Sequence, residues 1–186
     1  MYSNDTILIR KYLKVLHKLY TGPWQLEQLE SLENLKHLVG PHHGIFSYLR
    51  LDCIPEKRKY ELLMKAIHSL NLTDMLEPLI YSLKKNRHLA LLPMIISKLI
   101  VATKKLLRVE DIIIYSAHPL ADEDHAQLKA WIKRERHAAT VRSTLVIQPK
   151  LIGGFRIEGY DFMCDFSINQ QLHTVQSLCI KEGLMS

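Results

Sequence analysis

The chain has 186 residues, 47% of them hydrophobic and 24% charged, with seven glycines and seven prolines. That composition excludes disorder on compositional grounds and leaves room for one medium domain or two small ones. The formal net charge of +6 is uneven: residues 1–109 hold 17 Lys+Arg against 9 Asp+Glu, and residues 110–186 hold 8 against 10, which points to two units with different partners.

The N-terminal stretch "MYSNDTILIRKYLKVLHKLYTG" is amphipathic and lacks the apolar core of a signal peptide, so a cytosol-like compartment is expected. Ile9, Tyr12, Leu13 and Leu16 recur at helical spacing, and Gly22-Pro23 ends that helix. A second helix is predicted from Trp24 to Val39, followed by a break at "GPHHG". A brief turn holds Ile45, Phe46 and Leu49. Pro55 then suits the first turn of a helix carrying Leu62, Leu63, Ala66, Ile67 and Leu70. "NLTD" opens a fifth helix with Leu76, Leu79, Ile80 and Leu83.

A sixth helix runs from His88 to Leu107, with Pro93 placed to start or kink it. Its apolar run is interrupted by Pro93, Lys98, Lys104 and Lys105, which argues against a membrane span. Six stripes of this kind bury against one another, so residues 1–107 are expected to form a six-helix bundle.

The period changes after Arg108. "DIIIYSA" is short and β-branched, as in a buried strand. "PLADEDHAQLKAWIKRERH" follows as a helix, its acids first and its bases last, matching the macrodipole. Asp122 is expected to cap it in place of Ala121, and Leu128, Trp131 and Ile132 form its core face. Ser143 to Gln148 reads as a second strand, Phe155 and Ile157 mark a third, and Phe162 to Phe166 a fourth. Ser167 with Gln170 resembles a capping box opening a final helix. The predicted fold is therefore mainly α with a small α/β tail, a β-α-β-β-β-α unit over residues 110–186.

Few residues suggest chemistry. Cys53, Cys164 and Cys179 are odd in number and lack CxxC spacing, so buried thiols are expected rather than disulfides or zinc. His37, His42 and His43 have no Cys or acidic partner at ligand spacing, and "GPHHG" reads as a solvated loop. His118, His125 and His137 are scattered and expected at the surface. Gly153-Gly154 has no GK[ST] after it and lies in a strand-like pattern, which argues for a bulge or a close backbone approach rather than a phosphate loop. No catalytic residue, cofactor loop or metal set is predicted. "EKRKYE" and "KKNRH" leave a basic nucleic-acid-binding adaptor as the alternative, without a recognised motif to support it.

Several motifs are similar to one family. "YSAHPL", with Ser116, Ala117, Pro119 and Leu120, resembles the S-A-x-P-L that opens the C-terminal region of the F-type ATP synthase delta subunit, the oligomycin-sensitivity-conferring protein family. "PKLIGGFRI" resembles its P-x-L-I-G-G segment through Leu151, Ile152, Gly153 and Gly154. Asp165, Ser167 and Leu172 reproduce its D-x-S-x-x-x-x-L. "NRHLALLPMI", "IPEKRKYELL" and "YLKVL" match upstream segments in the right order.

The resemblance implies a non-catalytic stator subunit, one copy per complex and without cofactors, held peripherally at the cytoplasmic face of a bacterial inner membrane. It implies that the bundle binds an alpha subunit of the catalytic head, that the tail binds the b subunits, and that the link resists rotor torque during proton-driven ATP synthesis. By the same resemblance a groove between the first and fifth helices receives the alpha segment, with Ile9, Tyr12, Leu16, Leu76, Leu79 and Ile80 as its expected walls.

Overall fold

The computed structural model describes residues 2–20, 22, 24–40, 44–51 and 53–181. Pro23 and the Pro41-His42-His43 part of the predicted breaks lie outside the described residues. The chain separates into two compact units, Met1–Leu107 and Arg108–Ser186.

The first unit contains six α-helices among the described residues: α1 (Tyr2–Leu19), α2 (Leu26–Val39), α3 (Gly44–Arg50), α4 (Glu56–Ser69), α5 (Thr73–Lys85) and α6 (Leu92–Leu107). A short 3-10 turn, Leu89–Leu91, leads into α6 and places Pro93 in its first turn. There the missing N–H has no intrahelical partner to lose. Pro55 sits one residue outside α4, at its N-cap. The predicted start of α2 shifts from Trp24 to Leu26, where the Gln25 N–H donates to Gln28 Oε1 at 3.2 Å.

Helix α2 packs on α6, α4 on α5, and α1 on both α5 and α6. Leu29, Leu32, Leu35 and Val39 of α2 are buried, as are Leu92, Ile95, Ile96, Leu99 and Ile100 of α6. Each such side chain contributes about 1.5–3 kcal/mol on leaving water. Lys104 of α6 pairs with Glu33 of α2 at 2.6 Å across that contact. Helix α5 continues through Pro78, because Met75, Leu76, Leu79, Ile80 and Leu83 are buried on its inner side.

The second unit is built on a four-stranded sheet of order β2-β1-β3-β4: β1 (Val109–Ser116), β2 (Thr140–Ile147), β3 (Phe155–Glu158) and β4 (Met163–Asp165). β1 and β2 are parallel, in register from Val109↔Thr140 to Ser116↔Ile147. The parallel pair requires a crossover, which α7 (Asp122–Glu135) supplies. β3 runs antiparallel to β1, and β4 antiparallel to β3. Ile112, Ile114, Ile132 and Ile157 form the core, with Leu120, Leu128, Trp131, Val141, Phe155 and Phe162 packed around them. Arg136, just past α7, bonds Asp161 at 2.6 Å and lies 4.7 Å over the Phe162 ring, fastening the helix end to the β3–β4 turn. Helix α8 (Ile168–Lys181) closes the chain.

Some expectations are corrected. The cap of α7 is Ala121 without a side-chain hydrogen bond, and Asp122 is the first helical residue. Cys53 is exposed in the connection between α3 and α4, and Cys164 is half-buried on β4, an edge strand; the side chain of Cys179 lies outside the described residues. His118 and His137 are exposed as expected, whereas His125 is half-buried, with Nε2 2.9 Å from Ser143 Oγ.

Candidate functional site

The expected groove residues meet where α1 lies against α5. All six are buried: Ile9, Leu76 and Ile80 fully, and Leu16, Leu79 and Tyr12 nearly so. They are thus buried side chains on two helices that pack on each other. Among the described side chains of α1, the large hydrophobics left exposed are Ile7 and Val15, each about half exposed.

Tyr12 does more than fill space. Its hydroxyl lies 3.0 Å from His88 Nδ1 and accepts a bond from Asn86 Nδ2 at 3.2 Å, while Asn86 also donates to the Ser82 carbonyl at 2.9 Å. The tyrosine of "YLKVL" thus meets the asparagine of "NRHLALLPMI" across 74 positions. The sequence carried both motifs but gave no sign that they touch.

In the second unit the motif residues lock the turn into α8. Gly153-Gly154 lies before β3 and not within it, so the expected strand bulge is absent. The close backbone approach is present instead. Gly154 has φ +76, and a Cβ there would collide with the Phe166 carbonyl oxygen and stand 3.1 Å from Ser167 Cα. No L side chain fits that conformation and that space together. The Gly153 carbonyl accepts the Ile168 N–H at 3.0 Å. Just upstream, Ile152 has φ 65 and ψ −45, and the Gly153 N–H bonds the Leu151 carbonyl at 2.7 Å. This is a γ-turn, a strained arrangement for a β-branched residue. It leaves Leu151 buried and the Ile152 side chain 59% exposed.

Asp165 and Ser167 divide the capping work. Ser167 Oγ accepts the Gln170 N–H at 3.2 Å and so caps α8. Asp165 Oδ1 accepts the Ser167 N–H at 2.9 Å, the role a capping box would give to Gln170. Hydrogen bonding from the Ser167 side chain holds the Asp165 carboxyl below its ordinary pKa. Desolvation opposes this, and the Ser167 backbone N–H and Arg156 add smaller lowering effects.

Ser116 and Ala117 are buried at the end of β1, where the Ser116 carbonyl accepts the Gln148 N–H at 2.7 Å. Pro119 is exposed and Leu120 joins the core. Leu172 is exposed, as are Ile168 and Val175, and the three share one side of α8. On the sheet face opposite α7, Arg142 grips Asp111 at 2.7 and 3.2 Å, and Arg156 lies 4.8 Å over Tyr115. Ile113, Val146 and Met163 are exposed on that same face. Among the described residues no group of three metal-ligating side chains occurs, and no helix is long and apolar enough to cross a membrane.

The chain thus carries a helical bundle followed in sequence by a small α/β unit, each around its own core. The chain belongs to the ATP synthase delta (OSCP) subunit family, whose model matches residues 10–178. It is similar to the ATP synthase subunit delta of Bacillus subtilis, 24% identical over 168 residues, covering 90% of this chain and 92% of that one. It is 29% identical over 167 residues to the subunit delta of Neisseria meningitidis serogroup A, covering 89% and 92%. Its fold resembles a chain in the cryo-EM structure of the Toxoplasma gondii mitochondrial ATP synthase hexamer, with a TM-score of 0.66 at 13% identity over 93% of this chain and 97% of that one. The chain is thus a non-catalytic subunit of the ATP synthase peripheral stalk. The nucleic-acid alternative finds no support in these relatives.

Proposed function

We propose that this subunit clamps the catalytic head of a proton-translocating ATP synthase to its membrane-anchored stalk, with one copy per complex at the cytoplasmic face of a bacterial inner membrane. The bundle holds the N-terminal segment of an alpha subunit beside the α1–α5 contact, and the second unit holds the far end of the b subunits. Two moderate interfaces in one chain reinforce each other through raised effective concentration, so the head stays still against rotor torque.

One observation carries the reading: the chain forms two compact units, each with its own exposed apolar features. On the bundle these include Ile7 and Val15 of α1. On the second unit they are the Ile168, Leu172 and Val175 stripe and the sheet face bearing Ile113 and Val146. The excess of cations in the first half adds attraction for an acidic surface on the head. Affinity purification of the tagged chain from solubilised membranes should recover alpha and b chains together. Recovery of neither would refute the proposal. Loss of only b on replacing Leu172 and Val175 with Glu would assign the α8 stripe to the stalk.

A further inference from the structure

We propose that the concavity between the start of α4 and the end of α5 is a docking site for an acidic peptide segment that also carries an apolar side chain. This goes beyond the function proposed above, because the site uses the outer side of α5. Tyr81 follows Ile80 by one residue, a turn of 100° about the helix axis, and so points away from the α1 contact.

Its floor is apolar: Ile54, Pro55 and the ring of Tyr81. Tyr81 is 59% exposed, a large aromatic surface left to water on an otherwise polar helix side. Its rim is cationic: among the described residues that line it, Lys84, Lys85 and Arg87 stand against one carboxylate, Glu56. Lys84 Nζ is held 4.2 Å over the Tyr60 ring, and Arg87 sits at φ 58 just beyond the end of α5, so the chain fixes where these cations stand. Glu56 Oε1 binds Lys59 Nζ at 2.9 Å, so this carboxylate is already paired with a cation of its own helix and leaves the positive charge of the rim available to an acidic segment.

Rim and floor together select one chemistry. Carboxylates meet the cationic rim, and an aliphatic or aromatic side chain covers the floor of Ile54, Pro55 and Tyr81. Inorganic phosphate would use the rim alone, and a single-stranded oligonucleotide would bring phosphates to the rim but no aliphatic side chain to the floor.

The test uses the full chain labelled with nitrogen-15 and a synthetic decapeptide of alternating Leu and Glu, with the Leu–Lys decapeptide, inorganic phosphate and a ten-residue oligothymidylate as comparisons. The acidic peptide should perturb the amide resonances of Ile54, Tyr81 and Lys85 together. Arg87→Gly relieves the left-handed backbone while removing a cation, and Lys85→Glu changes an exposed side chain, so both keep the fold. The double variant should weaken the acidic peptide by about tenfold or more. Equal binding of the basic peptide, perturbations scattered elsewhere on the bundle, unchanged affinity in the double variant, or tighter binding of the oligonucleotide at these residues would each overturn the proposal.

Discussion

Replacing Gly154 with alanine adds one methyl group at the tightest point of the second unit. The new Cβ meets the Phe166 carbonyl and Ser167 Cα, both backbone, so no side-chain rotation relieves it. Holding a non-glycine residue at φ +76 costs about 1 kcal/mol, and the forced backbone shift a further 1–3 kcal/mol. A total near 2–4 kcal/mol is a large share of the roughly 5–15 kcal/mol typical of a whole domain. For a unit of this size it lowers Tm by roughly 10–25 °C. The chain has two tryptophans, Trp24 in the bundle and Trp131 in the second unit. Trp131 meets the Phe166 ring edge-on at 6.0 Å, so its fluorescence reports this site directly. In a Trp24→Phe background, the Trp131 transition of Gly154→Ala should move by that amount. In a Trp131→Phe background, the Trp24 transition should stay in place. A Trp131 shift corresponding to less than about 1 kcal/mol, or equal movement of both transitions, would refute the reasoning.

Ser167→Ala removes the α8 cap and should cost about 1 kcal/mol, read from the same Trp131 transition. Because Asp165 ionises more readily folded than unfolded, the unfolded chain binds the extra proton as pH falls below about 4. Stability of the second unit should therefore be lost on acidification through that window, and Asp165→Asn should flatten the dependence of the urea midpoint on pH. Ile152→Gly should stabilise the second unit by about 1 kcal/mol, since it relieves the γ-turn and removes only an exposed side chain; a lowered Tm would contradict that. Tyr12→Phe should destabilise the bundle by about 1–2 kcal/mol in the Trp24 transition, because it strips a partner from Asn86 and His88.

Helical stripes made the bundle legible, since buried leucines and isoleucines at 3.6-residue spacing are a strong local signal. The α/β tail was legible for a similar reason, but its strand starts were not. β1 begins at Val109 and β2 at Thr140, before the runs that look like strands. Glu110, Asp111 and Arg142 interrupt the apolar pattern there, and the pairing of Asp111 with Arg142 on neighbouring strands makes those positions compatible with a sheet. Opposite charges at matched distances before two strands were the available clue.

The glycine pair was misplaced because its flanks, Ile152 and Phe155, look like strand residues. Its cause lies 12 positions onward, at Phe166, where no local pattern points. The burial of the six expected groove residues was not legible either, since periodicity identifies an apolar stripe but not whether a neighbouring helix covers it.

β1 lies in the middle of its sheet yet is made first, while its flanking strands, the β4 edge and the Ser167 cap all come later in the chain. The bundle, by contrast, has all its helices by Leu107. During synthesis the bundle can therefore mature well before the second unit has its parts. A message truncated anywhere between these points would yield a folded bundle without its second unit, which under the proposed function would compete with the full chain for the head.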